Sequence, residues 1–479
     1  RNPGAKTIKG VQAKLSETTV NHTTRQRAEK HPKQARWSQR PSRRMPLRYR
    51  CANLNQSSSN KIRKSMYRLI FLIFLAANLA GCGNLLSLKR DLKNYQAAVT
   101  ELSGTLHSAD CPRCVTVLVM LGPEGQSLSY KIFERPGDFK IILSTKVESL
   151  FAFHDTNHNL EFDPDEPFAW QALPDTFKID RSISGLRLDI QAAGRGTPES
   201  PYPRGCLFDL RNKLLSGVDI QLGSVTDLAQ ARFDPDFAEM GMWQPLHFMQ
   251  SGFAGIYFLE PYTPQKIPVL FVHGINGSPR DFSVLLQHID REKYQPWLFY
   301  YPSGLEIPVI GYGMLGVLNK LWLEHDFKDL HIVAHSMGGL VSRSFLNDCR
   351  QEYECDYVRT FTSISSPFGG VSGATNGLSY SPVVMPVWRS MAPESNFLRE
   401  LFATPLPDGV QHHMLFGFHN TDKLSTASGD GTIFLASQLR LAAQRQSTSL
   451  RGFDEDHLSI LTSVQAGTHV NTIISNSQP

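Results

Sequence analysis

The amino-acid sequence predicts an α/β fold, a mostly parallel sheet with helices on both faces, preceded by a small β-sandwich-like domain. Three observations predict it. From Ile267 onward, continuous apolar runs alternate with helical patterns, as strands buried on both faces of a parallel sheet require. From about 106 to 260 the texture changes to short β-rich runs separated by Gly, Pro and Asp. Finally, the run Leu330 to Ala334 leads directly into a turn of small residues at Ser336 with a helical pattern behind it.

Within 261–479, Val269 to Val272 is the first strand, followed by a helical stretch near Asp281 to His288. Trp297 to Tyr301 reads as a strand, 306 to 324 as a helix, Leu330 to Ala334 as a strand and Met337 to Leu346 as a helix. Val358 to Ile364 and Met414 to Phe418 are further strands, and a helix closes the chain. Between those last two strands lies a Gly- and Pro-rich insertion, 366–411. A loop that long inside a compact domain is usually functional. Met385, Val387, Trp388, Met391, Phe397, Leu398, Leu401 and Phe402 are expected to form an apolar cap over Ser336, with core packing as the alternative.

The preceding segment, 106–260, carries the runs Val115 to Val119, Ser129 to Phe133, Lys140 to Leu143 and Val147 to Phe153, which predict the sandwich. Residues 82–105 read as a short helix or tether. Residues 1–65 are rich in Gln, Arg, Ser and Thr without apolar periodicity, and are expected to be disordered or to lie upstream of the native start, for which Met66 is a better candidate than Met45.

Charge divides along the same boundary. Seventeen Lys and Arg stand against two acidic residues before residue 65, while the whole chain carries only +5, so the remainder is net negative. Nucleic-acid binding would need a basic folded face, and is excluded as a reading.

From Met66, a basic start leads into an apolar core from Leu69 to Ala77 that is too short to span a bilayer, where about 20 apolar residues are needed. It therefore reads as an export signal over 66–81. Its end, Leu79-Ala80-Gly81-Cys82, resembles the lipobox of bacterial lipoproteins. That resemblance implies cleavage before Cys82, acylation of its thiol and new amine, and a place in the bacterial cell envelope. Gly83 rather than Asp after the cysteine implies the outer membrane. An ordinary signal peptide is the alternative. An exported chain meets an oxidising compartment, so Cys111 with Cys114, and Cys349 with Cys355, are expected as local disulfides, which leaves Cys206 as the odd thiol.

The chemistry centres on Val333-Ala334-His335-Ser336-Met337-Gly338-Gly339. A serine hydroxyl is a weak nucleophile until a base lies within hydrogen-bond reach and the turn exposes it. A tight strand-to-helix turn demands small residues two before and two after the serine, here Ala334 and Gly338. The segment resembles the nucleophile elbow of the α/β-hydrolase superfamily, with Ala334 departing from the usual glycine. The resemblance covers about 265 to 475 and is greatest to the lipase and GPI inositol-deacylase-like branch.

It implies the α/β-hydrolase fold, a serine hydrolase cleaving carboxylic esters of lipids or other acyl groups through an acyl-enzyme, and the chain order Ser, acid, His. His457, in Asp454-Glu455-Asp456-His457-Leu458, sits in a polar loop before the terminal helix and is the expected base. Asp430, in Ser428-Gly429-Asp430-Gly431, is the expected acid, with Asp422 and Asp456 as rivals. The oxyanion donors are expected to be the backbone N–H groups of Met337 and, in the run Phe271-Val272-His273-Gly274-Ile275, of Ile275. His273 reads as a packing residue rather than a base. No cofactor is expected for catalysis. An acyltransferase with the same triad, or a surface binding lipoprotein with an inert hydrolase domain, are the alternatives.

One motif stands apart. Asp155, Asn157, Asn159, Asp163 and Glu166 place oxygens at positions 1, 3, 5, 9 and 12 of an EF-type calcium loop. This predicts a structural Ca²⁺, although Leu160 stands where glycine makes the sharp turn.

Overall fold

A computed structural model describes residues 83–477, apart from 134, 145, 175–181, 192–199, 211–212, 216–217, 353–354 and 420–427. The expected signal segment and Cys82 lie outside the described residues, as does Asp422.

A helix over 83–98 (α1) opens the described chain. Its Asp91 carboxylate accepts the backbone N–H groups of Leu246 (2.8 Å) and His247 (3.1 Å), and so caps a helix more than 150 residues away. The tether is thus packed onto the body of the protein. It passes directly into a strand absent from the sequence expectation, β1 (Val99–Ser108), so strand structure begins before 106.

β2 (Thr116–Leu121), β3 (Ser127–Phe133), β4 (Asp138–Ser144) and β5 (Ser149–His154) fall on the four predicted runs, and β6 (Phe168–Ala172) and β7 (Ser182–Ile190) complete the domain. They form two sheets, in the orders β4-β1-β7 and β3-β2-β5-β6. One face of β2 and β5 (Leu118, Met120, Leu150, Ala152) packs in a core shared with Leu102, Phe139, Ile141 and Leu188 of the other sheet. The opposite face (Val117, Val119, Phe151, Phe153) is sealed by Phe162 and Leu207. β2 and β5 are therefore buried on both faces, which is why they read as continuous apolar runs instead of alternating ones. A short ribbon follows, β8 (Lys213–Leu215) with β9 (Val218–Asp219).

The main sheet has eight strands in the order β10-β11-β13-β12-β14-β15-β16-β17. They are β10 (Gln221–Val225), β11 (Gly255–Phe258), β12 (Ile267–Val272), β13 (Tyr294–Tyr300), β14 (Leu330–His335), β15 (Val358–Ile364), β16 (Gln411–Gly417) and β17 (Ser449–Phe453). From β13 to β17 every pairing is parallel, and β11 runs antiparallel to β13. The first two strands come from before residue 261, so this sheet reaches back across the expected boundary. The local signal missed β10 because Gln221-Leu222-Gly223-Ser224-Val225 is short and polar, and only pairing with β11 makes it a strand.

Helices α2 (Pro235–Trp243) and α3 (Pro245–Gln250) precede the sheet's centre, and α4 (Ile307–His325) and α5 (Met337–Glu352) follow β13 and β14. The helix expected at 281–288 is instead two short 3-10 turns, Pro279–Phe282 and Leu285–His288. The insertion folds as α6 (Ser372–Tyr380), α7 (Pro386–Met391) and α8 (Asn396–Leu401). Met385, Val387, Met391, Leu398, Leu401 and Phe402 are buried in the main core, while Trp388 and Phe397 are half-buried. Val387 N–H donates to Gly304 O, and Ile307 N–H donates to Ser390 Oγ, tying α7 to the start of α4. Six of the eight apolar side chains expected over Ser336 are thus buried in the main core. Past β16 lie α9 (Leu435–Gln438), α10 (Leu441–Arg445) and α11 (Val464–Asn476). Among the described residues no helix is long and apolar enough to cross a membrane.

β13 lies on one side of β12 and β14 on the other, so the connection leaving β12 runs one way along the sheet and the connection leaving β14 runs the other. A crevice opens at the carboxyl ends of parallel strands where the order reverses in this way. The loops after β12, β14, β16 and β17 all end there.

Candidate active site

Ser336 is the single residue between β14 and α5, and it adopts φ +52°, a left-handed conformation costly for a non-glycine residue. The flanking structure enforces it. Ser336 N–H donates to Ile364 O, and Gly339 N–H donates to Ser336 O. The smallness of the elbow residues has a measurable cause: a Cβ on Gly338 would stand 2.3 Å from Val272 O and 2.5 Å from His273 O. The nucleophile turn is therefore pressed against the end of β12. Ala334 is fully buried within β14 and takes the place of glycine without displacing the turn.

His457 Nε2 lies 2.9 Å from Ser336 Oγ, and its Nδ1 lies 2.7 Å from Asp430 Oδ2. The structure thus joins the three predicted residues into one hydrogen-bonded line. Asp430 is 1 % exposed. Its other oxygen, Oδ1, accepts the N–H groups of Thr432 (3.0 Å) and Ile433 (2.6 Å), and its backbone O accepts His457 N–H (2.9 Å). Burial pushes its carboxyl up, but the imidazole of His457 and the two backbone donors outweigh burial and hold it below the usual carboxylate range. Asp430 therefore stays an anion facing the ring. The rival Asp456 is otherwise engaged: its Oδ1 accepts the N–H groups of Leu458 and Ser459, capping the turn that presents His457.

Two buried histidines shape the site without joining it, and the sequence had singled out only one. His273 Nδ1–H donates to Gly274 O at 2.8 Å, its ring stacks on Tyr301 at 4.1 Å, and burial pushes it down to about 4, so it is a neutral packing residue as expected. His335, beside the nucleophile, donates through Nε2 to the backbone O of His457 at 2.8 Å, and burial pushes it down to about 3. It ties the loop that carries His457 to the strand that ends at Ser336. No sequence pattern marks this contact, which spans 122 positions. His412 is likewise structural, fully buried with Nε2 at 2.9 Å from Ser363 Oγ.

The loop expected to supply an oxyanion donor is fixed on both sides of Ile275. Asn276 N–H donates to Ser303 Oγ, Gly277 N–H to Gly274 O, and Tyr301 hydroxyl to His273 O. A Cβ on Gly274 would stand 3.1 Å from Ser336 Cβ, so this loop lies alongside the nucleophile. Met337 opens α5, where the first N–H groups have no partner in the helix and the macrodipole favours negative charge. The arrangement places an imidazole within reach of a hydroxyl and a buried carboxylate against that imidazole.

The 155–166 loop closes on itself. Asp155 accepts the N–H groups of Asn159 and Leu160, Glu166 accepts those of Thr156 and Asp163, and Asn157 and Asn159 amides donate to Asp163. Leu160 makes the sharp turn at φ +54° despite its side chain. Among the described residues no group of three or more His, Cys, Asp or Glu side chains is gathered as for a metal ion. Cys111–Cys114 and Cys349–Cys355 are disulfides, and Cys206 is an exposed free thiol.

Comparison with known proteins adds three findings. Residues 319–384, which contain the elbow, match the lecithin:cholesterol acyltransferase family. A stretch of 122 residues is 30% identical to lysosomal thioesterase PPT2-B of Xenopus laevis, covering 22% of this chain and 38% of that protein. Among solved structures, Bacillus licheniformis lipase BlEst2 in mature form aligns with a TM-score of 0.39 at 17% identity, over 47% of this chain and 98% of that one. A Listeria innocua gene product aligns with a TM-score of 0.33 at 14% identity, over 45% and 96%. The domain carrying Ser336 has the α/β-hydrolase fold, and its elbow segment is similar to the lecithin:cholesterol acyltransferase family.

Proposed function

We propose that the protein is a serine hydrolase that cleaves carboxylic esters of acyl groups, with Ser336 as nucleophile, His457 as general base and acid, and Asp430 as the orienting anion. The observation that carries this reading is the hydrogen-bonded line from Asp430 Oδ2 through His457 to Ser336 Oγ, at 2.7 and 2.9 Å.

In the first half-reaction Ser336 Oγ adds to the ester carbonyl carbon while its proton passes to His457 Nε2. Asp430 stabilises the imidazolium and keeps Nδ1–H pointed at itself. Negative charge then develops on the carbonyl oxygen, and the N–H groups of Met337 and Ile275 are the donors that meet it. As the intermediate collapses, the bond to the alcohol oxygen breaks and the alcohol leaves with the proton from His457. In the second half-reaction a water gives its proton to His457, adds to the acyl-enzyme and releases the acid, and Ser336 regains its proton. No step calls for a cofactor.

Acyl transfer to an alcohol in place of water is the second reading, favoured by the match of 319–384 to the acyltransferase family. The lipobox-like run at Cys82 supports a lipid-anchored enzyme of the bacterial cell envelope, on the outer membrane, whose acyl substrate lies close to its anchor. The test of the main reading is labelling by a tagged fluorophosphonate, with Ser336→Ala as control, followed by a chain-length series of esters with and without an added alcohol. Labelling that persists in Ser336→Ala ends this reading, and ester product in place of free acid favours acyl transfer.

A further inference from the structure

Asp430 stands in a turn that closes on itself, yet its carboxylate has to meet His457 at a fixed angle. Within the turn, Asp430 N–H donates to Ile433 O (3.2 Å), Leu435 N–H donates to Ser428 O (2.8 Å), and Gly429 bridges Phe434. The N–H groups of Thr432 and Ile433 hold Oδ1, so the carboxylate follows wherever the turn goes. The turn also lies against the end of β16, since a Cβ on Gly417 would stand 3.1 Å from Asp430 Cβ. Gln438, on the short helix α9 behind the turn, spans the two. Its Nε2 donates to Gly417 O and to Ile433 O, both at 3.1 Å.

Two features set Gln438 apart from a packing side chain. It is 1% exposed, and its Oε1 is buried without a hydrogen-bond partner among the described residues. A buried polar atom left unpartnered is costly, and a side chain retained for volume alone would be leucine or methionine. The amide is kept for its NH₂ group, whose two protons meet two carbonyl oxygens; turned over, it would set oxygen against oxygen. The second feature is that α9 is itself anchored. Ser437 Oγ donates to Gly370 O (2.6 Å), and Gly369 N–H donates to Ser437 O (2.9 Å). Just past the helix, Arg440 Nη1 donates to Phe368 O (3.0 Å) and Leu398 O (2.8 Å). Gln438 thus reaches the acid turn from a support held on the start of the insertion and on α8.

We propose that Gln438 is a positioning residue for the triad acid, its amide clamping the turn of Asp430 to the end of β16 so that Oδ2 stays in line with His457 Nδ1. The proposal rests on the triad reading. Gln438 acts through Ile433, whose N–H holds Asp430 Oδ1 and whose carbonyl O takes the clamp. Released from Gln438, Ile433 shifts, Oδ1 shifts with it, and the 2.7 Å contact of Oδ2 with the ring loosens. The imidazolium then loses part of the stabilisation that lets His457 take the serine proton.

Gln438→Met removes both donors at similar volume, and is assayed in the full chain on a short p-nitrophenyl ester beside Asp430→Asn and the double variant. Turnover should fall by about tenfold to a hundredfold, the scale of a small misalignment of catalytic groups. KM should stay within about twofold of wild type, because the lost interaction serves the transition state and not substrate binding. The acid limb of the kcat/KM profile should move to lower pH, since a histidine whose anionic partner is misaligned holds its proton less tightly. In the Asp430→Asn background the same change should add no more than about threefold, because no anion is left to aim and the two losses are coupled. Ser437→Ala is the control on α9: melting should fall while the acid limb stays in place. Gln438→Glu, of the same shape with an oxygen in place of the NH₂ group, replaces Gln438→Met if that variant does not fold, with the same expectations. Unchanged turnover, an unmoved acid limb, an equal shift in Ser437→Ala, or full additivity with Asp430→Asn overturns the positioning role while the triad stands. Near-normal turnover in Asp430→Asn removes the triad reading, and this proposal with it.

Discussion

Replacing Asp430 by Asn changes the chemistry of one atom and little else. Oδ1 accepts from Thr432 and Ile433, and an asparagine oxygen can keep both bonds in the same buried space. At Oδ2 the substitution puts an NH₂ group 2.7 Å from His457 Nδ1. Two donors cannot face each other, so the ring adopts the other tautomer, with Nδ1 as acceptor and the proton on Nε2. The nitrogen 2.9 Å from Ser336 Oγ then has no lone pair with which to take the serine proton. In the well-studied triad template this change costs about 10⁴ in kcat, equivalent to about 5.4 kcal/mol of transition-state stabilisation. A similar loss is expected here, with KM for a short p-nitrophenyl ester nearly unchanged, fluorophosphonate labelling slowed in parallel, and the melting temperature near pH 7 within a few degrees of wild type. The pH dependence supplies a separate signature. The folded carboxyl is depressed below its ordinary value of 3.8, so its contribution to stability is complete above that value and fades as pH falls through the lower, folded value. Wild type should therefore lose more stability than Asp430→Asn on acidification through that range. Activity within about tenfold of wild type in a folded Asp430→Asn protein would refute the reasoning.

Ser336→Ala and His457→Ala should each lower turnover by about 10⁶, and the double variant should be little worse than either, because the pair acts as a unit; additive losses in a steady-state assay would dissolve the triad. Gly338→Ala should destabilise by about 3 kcal/mol or more, since the new methyl meets two backbone oxygens that cannot rotate away, and an unchanged melting temperature would contradict the close approach of β12 to the elbow. Mass spectrometry of a membrane fraction should find Cys82 as an acylated N-terminal residue, with Cys82→Ser releasing the protein; an unmodified soluble product starting elsewhere would end the lipoprotein reading. Calcium in the 155–166 loop is tested by melting: an ion bound only by the folded state at 100 times its dissociation constant adds about 2.7 kcal/mol, and the rise should vanish with chelator and in Asp155→Asn, while turnover is unaffected. Melting that ignores both calcium and chelator would leave the loop closed by its own hydrogen bonds alone.

The sequence by itself determined the elements whose cause is local. β15 falls on the predicted Val358 to Ile364, and β14 and α5 flank Ser336 as expected, because a buried parallel strand must be continuously apolar and a strand-to-helix turn must use small residues. Ser336 stood out for the same local reason, whereas Asp430 and His457 were expected from the resemblance to the α/β-hydrolase chain order, and the structure puts the three side chains within hydrogen-bond distance of one another. Tertiary structure decided what depends on pairing across distance. β1 and β10 are strands only through their neighbours, and the Asp281 to His288 stretch breaks into two 3-10 turns instead of one helix. The apolar residues of 366–411 have a pattern that suits a cap or a core equally, and the anchoring of α7 on Gly304 and Ile307 is a contact that no local pattern marks. His335 illustrates the limit most clearly. Its neighbours in sequence mark a nucleophile elbow, but its partner is a carbonyl 122 residues away, brought within 2.8 Å by the parallel order of β14 to β17, and hydrogen bonds between distant backbone and side chain leave no periodic trace in a sequence.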